Sequence, residues 1–294
     1  MRLSKDQIRH LLLVLALGLT FAFYGTLRMT QLQDTAALYI GLPMLLAASV
    51  ALIETKNALT TIYKVLGIAI FLSPLLIGEG FICMLLASPI MYAVATIVGL
   101  LIDAIRNRAQ KKIQAAAGLT LVFMLALEGT VPLATIDRMN EVTVEKTVAM
   151  NIDDVRQSLS GPMKYDQKPK SFYTWLFLPP DRVTGEGLNA GDRRVMTLTY
   201  NKWIVTNKWT GDITFEVADS GKDFVTFRLV EDKSYMALYM DWQDATTRFE
   251  RIDDNHTRVT QTIRYSRKLD PSWYFGPMER AAVRDAAETI IDSL

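Results

Sequence analysis

Few residues in this chain have the types and spacing to run a reaction. The 294 residues include two histidines, and His256 follows Asp253-Asp254-Asn255 in a turn-forming run. A lone turn histidine is ordinarily solvated, and two histidines cannot build a histidine-rich metal site. Cys83 is the one cysteine, which excludes an intramolecular disulfide and a cysteine metal cluster. There is no Gly-x-Ser-x-Gly elbow, no phosphate loop and no zinc-protease helix motif. The pair Glu231-Asp232 reads as a solvated strand end.

What remains suits binding. Gln261 is a polar amide on an apolar strand face and needs a partner, whether backbone, water or ligand. Phe215, Phe227 and Tyr265 belong to apolar strand faces and are candidates either for plain core or for a cavity lining. Glu279 lies near the apolar side of a terminal helix, in its first turn. There it serves the helix dipole or faces a cavity. Trp273, with Tyr274 and Phe275, is suited to gating a cavity, touching a bilayer interface or docking the helix start into the core. No cofactor is implied.

The elements that position these residues follow from periodicity. Glu141–Val148 alternates with the period of a half-buried strand. Asn151 then offers a cap for a short helix over Ile152–Leu159, with Asp153 and Asp154 in its first turn. The stretches 161–169 and 179–192 are rich in turn residues and read as loops. Strand-like runs follow at Val195–Tyr200, Trp203–Asn207, Ile213–Ala218, Phe224–Val230, Tyr235–Trp242, Thr246–Ile252 and Thr257–Ser266. Breaks at Thr210-Gly211-Asp212, Ser220-Gly221-Lys222 and Asp253-Asp254-Asn255 suit hairpins, so the sheet is expected to be an antiparallel meander. In the last run Val259, Gln261, Ile263 and Tyr265 share one face. The segment Pro271–Leu294 gathers Ala282, Val283, Ala286, Ile290 and Leu294 on one side of a helical wheel, opposite Arg280, Arg284, Asp285, Glu288 and Asp292. That apolar side, Ile290 included, is expected to cover the sheet, and its alanines either leave a cavity or allow close contact.

The first 134 residues are different material. They hold ten basic and six acidic residues, while 47 of the 63 charges and all five tryptophans come later. Five segments have the apolar length of a bilayer span: Ile8–Leu27, Thr35–Ile53, Thr60–Ile77, Phe81–Ile102 and Gln114–Ala134. The third and fourth are separated by Gly78-Glu79-Gly80. Arg2, Lys5, Arg9, Lys56, Lys64, Arg106, Arg108, Lys111 and Lys112 fall on one side of these spans, against Arg28 and Arg138 on the other. This bias puts the N-terminus in the cytoplasm and, after five crossings, the C-terminal half outside. If 60–102 crossed once or re-entered, the C-terminal half would return to the cytoplasm. Glu128 is the one good candidate for an ionisable group in the membrane, and interfacial solvation near the end of the last span is its ordinary role. Near-zero net charge, with −3 on the second half, gives no basic face for nucleic acid.

The run from Arg264 to Arg280, Arg-Tyr-Ser-Arg-Lys-Leu-Asp-Pro-Ser-Trp-Tyr-Phe-Gly-Pro-Met-Glu-Arg, carries a resemblance. It is similar to the last strand and helix start of membrane-anchored members of the START/polyketide cyclase-like superfamily, abbreviated SRPBCC. Thr257-Arg258-Val259-Thr260 and the stretch from Gly185 to Arg193 look similar too. The resemblance covers about 141–294 and implies an α+β helix-grip domain, a curved antiparallel sheet with a long C-terminal helix. It also implies a cavity between sheet and helix for an apolar ligand. It brings no catalytic motif, because the superfamily spans lipid carriers, hormone binders and cyclases.

The expectation is a multi-pass α-helical membrane region over 1–136, followed by a helix-grip domain over 139–294. The protein is expected in a bacterial inner membrane, binding a membrane lipid or apolar small molecule outside the cytoplasm. A cyclase- or hydrolase-like reaction in the same cavity is the second possibility, and a non-catalytic scaffold the third. No protein partner is specified by the sequence.

Overall fold

Alternation along one strand organises the C-terminal half. β7 (Thr257–Arg267) buries Val259, Gln261, Ile263 and Tyr265 and turns the residues between them outward, as the two-residue period of a strand requires. Its neighbours are β1 (Met139–Val148), which sets Val144 against Gln261, and β6 (Met240–Arg251), which sets Thr247 there. β5 (Phe224–Asp232), β4 (Lys208–Ser220), β3 (Arg193–Asn201) and β2 (Arg182–Thr184) continue the sheet. The order is β1-β7-β6-β5-β4-β3-β2, antiparallel at every step. Register shifts at Thr214/Phe215, Val217/Asp219 and Trp242/Asp244 are sites where a sheet bends. The structure is a computed structural model describing residues 4–53, 58–76, 81–107, 112–166, 168, 171–177, 179–201 and 208–294.

Helices cover one face of this sheet. α6 (Ile152–Ser160) starts where Asn151 accepts the backbone N–H of Asp154 at 2.8 Å, with two aspartates in its first turn. α8 runs from Ser272 to Asp292. Val155 and Leu159 of α6 meet Val283, Ala287 and Ile291 of α8 and Phe249 and Val259 of the sheet in one apolar core. The other face is polar, with threonine pairs bridging strands at Thr143–Thr262, Thr226–Thr246 and Thr199–Thr210. An antiparallel seven-stranded sheet gripped by a long C-terminal helix is the helix-grip arrangement.

The structure corrects several expected boundaries. Thr210-Gly211-Asp212 is not a hairpin break but lies inside β4, where Gly211 pairs with Leu198. Glycine is needed there because a Cβ would fall 2.0 Å from the carbonyl oxygen of Lys233. Tyr235–Leu238 is a 3-10 turn capped by Ser234, so the strand expected over Tyr235–Trp242 begins only at Met240 and runs on to Arg251. Within the expected loops lies a short edge strand, β2, and a short helix, α7 (Phe172–Leu176), appears after the first of them. The strand expected over Trp203–Asn207, the Gly78–Gly80 turn, and Arg2, Lys56, Arg108 and Lys111 lie outside the described residues.

The chain divides into two units. One comprises Met1–Ile136 and Leu269–Phe275, the other Asp137–Lys268 and Gly276–Leu294. The first contains α1 (Lys5–Met29), α2 (Leu42–Leu52) preceded by a π-helical turn at Ala37–Gly41, α3 (Ala58–Leu76), α4 (Phe81–Asn107) and α5 (Lys112–Leu125). Ser4 opens α1 with a capping box to Gln7. Among the described residues, Lys5–Met29 and Met84–Arg106 are long and apolar enough to cross a membrane, and Ala37–Ala51, Leu59–Leu72 and Lys112–Leu125 are shorter apolar helices. The span expected over Gln114–Ala134 is shortened, since α5 stops at Leu125 and Pro132–Ala134 forms a 3-10 turn. Glu128 is buried in the protein rather than solvated. Its Oε1 accepts the backbone N–H of Ser272 at 2.7 Å and so serves the start of α8.

Candidate functional site

A cavity of about 190 Å³ lies between the sheet and α8. It exists because α8 presents Ala282 and Ala286 toward the sheet, and side chains that end at Cβ cannot fill the space above the strands. The strands contribute Met196 and Leu198 (β3), Ile213 and Phe215 (β4), Phe227 (β5), Trp242 and Ala245 (β6), and Ile263 (β7). Met163, Tyr165, Tyr173, Phe177, Pro179 and Pro180 close the sides. The lining is overwhelmingly apolar, which is the usual character of a site for a small organic ligand.

The polar groups of the wall are mostly engaged by the protein itself. Asp244 is held by Arg264 on the neighbouring strand. Asp285 receives the hydroxyl of Ser171, the residue that caps α7. Thr289 donates back to the carbonyl of Asp285 at 2.8 Å. Gln261, 1% exposed, accepts the Thr247 hydroxyl through Oε1 at 2.6 Å. That bond spends the oxygen and leaves the Nε2 donor without a partner among the described residues.

Arg194 is the other polar feature. It is 3% exposed and lines the cavity, its guanidinium 6.0 Å from the ring centre of Phe227. Nη2 donates to the carbonyls of Leu159 at 3.1 Å, Ser160 at 2.8 Å and Gly187 at 2.8 Å. Leu159 and Ser160 end α6, where the helix dipole is negative and a cation is favoured. Gly187 sits at φ +93°, a conformation glycine enters without steric cost. Burial pulls the guanidinium below its ordinary pKa, and Asp192 and Glu186 oppose that from a distance. Burial likewise raises Tyr165, partly offset by a hydrogen bond with Ser293. Tyr173 is raised by burial and then by the negative charge of Asp285.

Of the sequence-derived candidates, Phe215, Phe227, Gln261 and Ile290 come together on the cavity wall. Tyr265 and Glu279 do not line it. Tyr265 is fully buried in the apolar core, its hydroxyl without a hydrogen bond among the described residues. Burial pushes its pKa up to about 12, helped by the nearby Glu279 and opposed by Arg280 and Arg267. Glu279 is buried beside it on α8. Trp273 is 55% exposed and belongs to the helical unit. There Phe275 packs edge-on against Tyr39, ring centres 4.6 Å apart, and the Tyr274 hydroxyl donates to the Leu86 carbonyl at 2.7 Å. None of this aromatic trio lines the cavity.

Sequence reasoning missed Arg194, Trp242, Asp285 and the α7 side chains. A signal for Arg194 exists: it shares strand parity with Met196 and Leu198, and so belongs on the apolar face. Starting the strand at Val195 hid it. Asp285, assigned to the solvent side of the helical wheel, is turned to the cavity rim by its bond to Ser171. His256 is exposed beside Asp253 in its turn and does not line the cavity.

No protein-family model matches the chain, and no curated protein matches it. Solved structures with some likeness include a ginseng major latex-like protein from Panax ginseng, 12% identical, covering 51% of this chain and 97% of that one, with a TM-score of 0.30. A truncated norcoclaurine synthase from Thalictrum flavum is 12% identical over 53% of this chain and 96% of that one, with a TM-score of 0.33. A Thermus thermophilus protein is 13% identical over 52% and 93%, with a TM-score of 0.34. Scores at this level add nothing to the fold assignment, which rests on strand order and the terminal helix.

Proposed function

We propose that this protein is a membrane protein whose helix-grip domain holds a hydrophobic small molecule or lipid between its sheet and α8. The observation that carries this is the apolar cavity of about 190 Å³, kept open by Ala282 and Ala286. Both lining aspartates are engaged, by Arg264 and by Ser171, so the wall favours holding a molecule over transforming it. The membrane part rests on the helical unit. Val14, Leu15, Ile113, Phe123 and Met124 are exposed apolar side chains there, which water disfavours and a bilayer accommodates. Five spans, an inner bacterial membrane, a cytoplasmic N-terminus and an outer domain complete the proposal, on the strength of the apolar segments and the basic residues gathered on one side.

Two experiments test it. Native mass spectrometry of the full chain purified from its host membrane is expected to find an apolar molecule bound in near-stoichiometric amount. A protein that carries nothing and takes up no neutral hydrophobic probe contradicts the binding function. A reporter fused to the C-terminus is expected to be active only outside the cytoplasm, and cytoplasmic activity contradicts the orientation.

A further inference from the structure

The cavity wall contains a buried charge that forms no ion pair among the described residues. Arg194 is buried, yet among the described residues no carboxylate forms an ion pair with it. The groups that receive its protons at short range are neutral carbonyls, all of them from Nη2. Nη1 has only the long 3.4 Å contact with the Arg193 carbonyl, and Nε makes no hydrogen bond among the described residues. A guanidinium offers five N–H donors in a planar fork matched to an oxyanion. Removing such a charge from water is costly unless an opposite charge compensates it. Asp192 and Glu186 act only at longer range, and Asp192 is itself engaged by the Asn189 N–H.

Resting on the cavity-binding proposal, we infer that the ligand is an apolar molecule with one anionic head group, a carboxylate or a phosphate, and that Arg194 is its anchor. The apolar body extends along the strands toward Ile263 and Ile290. Gln261, whose Nε2 has no partner among the described residues, supplies one neutral donor to the body. The three backbone carbonyls hold the guanidinium in place before the ligand arrives, which lowers the ordering cost of binding.

The test uses the full chain in lipid nanodiscs and photolabelling with hexadecanoic acid bearing a diazirine near the carboxyl end. The methyl ester and a hexadecyl phosphate of the same design are the comparison probes, and labelled peptides are mapped. The acid is expected to label at least about tenfold more than the ester, on peptides containing Leu159, Arg194 or Phe227. Arg194→Gln is expected to bring that ratio to about one, while Arg194→Lys and Gln261→Leu keep a preference for the acid. Because the readout is a ratio within one sample, loss of folded protein lowers both signals together. Strong labelling by the phosphate identifies a phospholipid-type head as the source, and labelling by the acid without the phosphate identifies a free apolar acid. Equal labelling by acid and ester in the unmodified protein, or an unchanged ratio in Arg194→Gln, overturns the anchor while leaving the cavity proposal intact. Absence of labelling by every probe overturns both.

Discussion

Two stripes of α8, one residue out of step, meet the sheet in different ways. Val283, Ala287 and Ile291 are buried in the closed core with Val155, Leu159, Phe249 and Val259. Ala282, Ala286 and Ile290, rotated about 100° from them, border open space. The two stripes have nearly the same composition, yet the first is buried in the core, with Val283 alone of its three also reaching the cavity wall, while the second borders the cavity at all three positions. The difference lies in what faces them. The packed stripe meets α6, which α8 and the sheet enclose, whereas the open stripe looks toward β3–β5 and the sides closed by α7 and the prolines. Apolar patterning alone therefore marks a buried face without distinguishing core from binding site.

The largest way to break this contrast is to truncate the packed stripe. Ile291→Ala is expected to lower unfolding stability by about 2–5 kcal/mol, the range for a large side chain removed from a closed core. Ile290→Ala, at the cavity, is expected to cost less than half as much in the same denaturation experiment, because that side chain is only partly buried and borders open space on one side. Equal losses at both positions would remove the distinction between the stripes.

A second, smaller effect concerns the polar pair at the wall. Thr247→Val leaves Gln261 Oε1 buried without its hydroxyl donor and is expected to cost about 1–3 kcal/mol. Thermal unfolding under otherwise identical conditions checks it. A cost near zero would mean the amide turns to another partner and that the bond does not fix Gln261 at the wall.

The third effect is a pH dependence in the packed region. Tyr265 is held neutral in the fold, its pKa raised from 10.0 to about 12. The unfolded chain loses that proton first, so the contribution is full below pH 10 and is lost as pH rises toward about 12. Tyr265→Phe is expected to flatten part of the stability decline in that window and to leave stability at pH 7 unchanged or slightly raised, since the hydroxyl has no hydrogen bond among the described residues. Chemical denaturation across the pH range measures this, and an identical decline in the variant contradicts the assignment.

Where the sequence carried this architecture, it did so through periodicity. Val259, Gln261, Ile263 and Tyr265 alternate without interruption, and the burial of that strand follows its pattern throughout. Gly211 misled because glycine marks both turns and close backbone approaches, and only the position of the Lys233 carbonyl distinguishes them. α7 was not legible, since five residues give little more than one helical turn and its capping by Ser171 depends on local geometry. For the site, Phe215, Phe227, Gln261 and Ile290 followed from strand and helix faces. Arg194 did not, because an arginine at a strand end is usually solvated, and here the carbonyls of Leu159, Ser160 and Gly187 draw it inside.

The central claim is that the space beneath Ala282 and Ala286 is a binding site. Its most direct test is Ala286→Phe, which fills that space from α8 without touching the packed stripe. Photolabelling of the full chain in nanodiscs by the neutral diazirine ester is predicted to fall at least about tenfold in this variant, with far-ultraviolet circular dichroism and melting temperature little changed. Undiminished labelling of the domain in a folded Ala286→Phe protein would contradict the account.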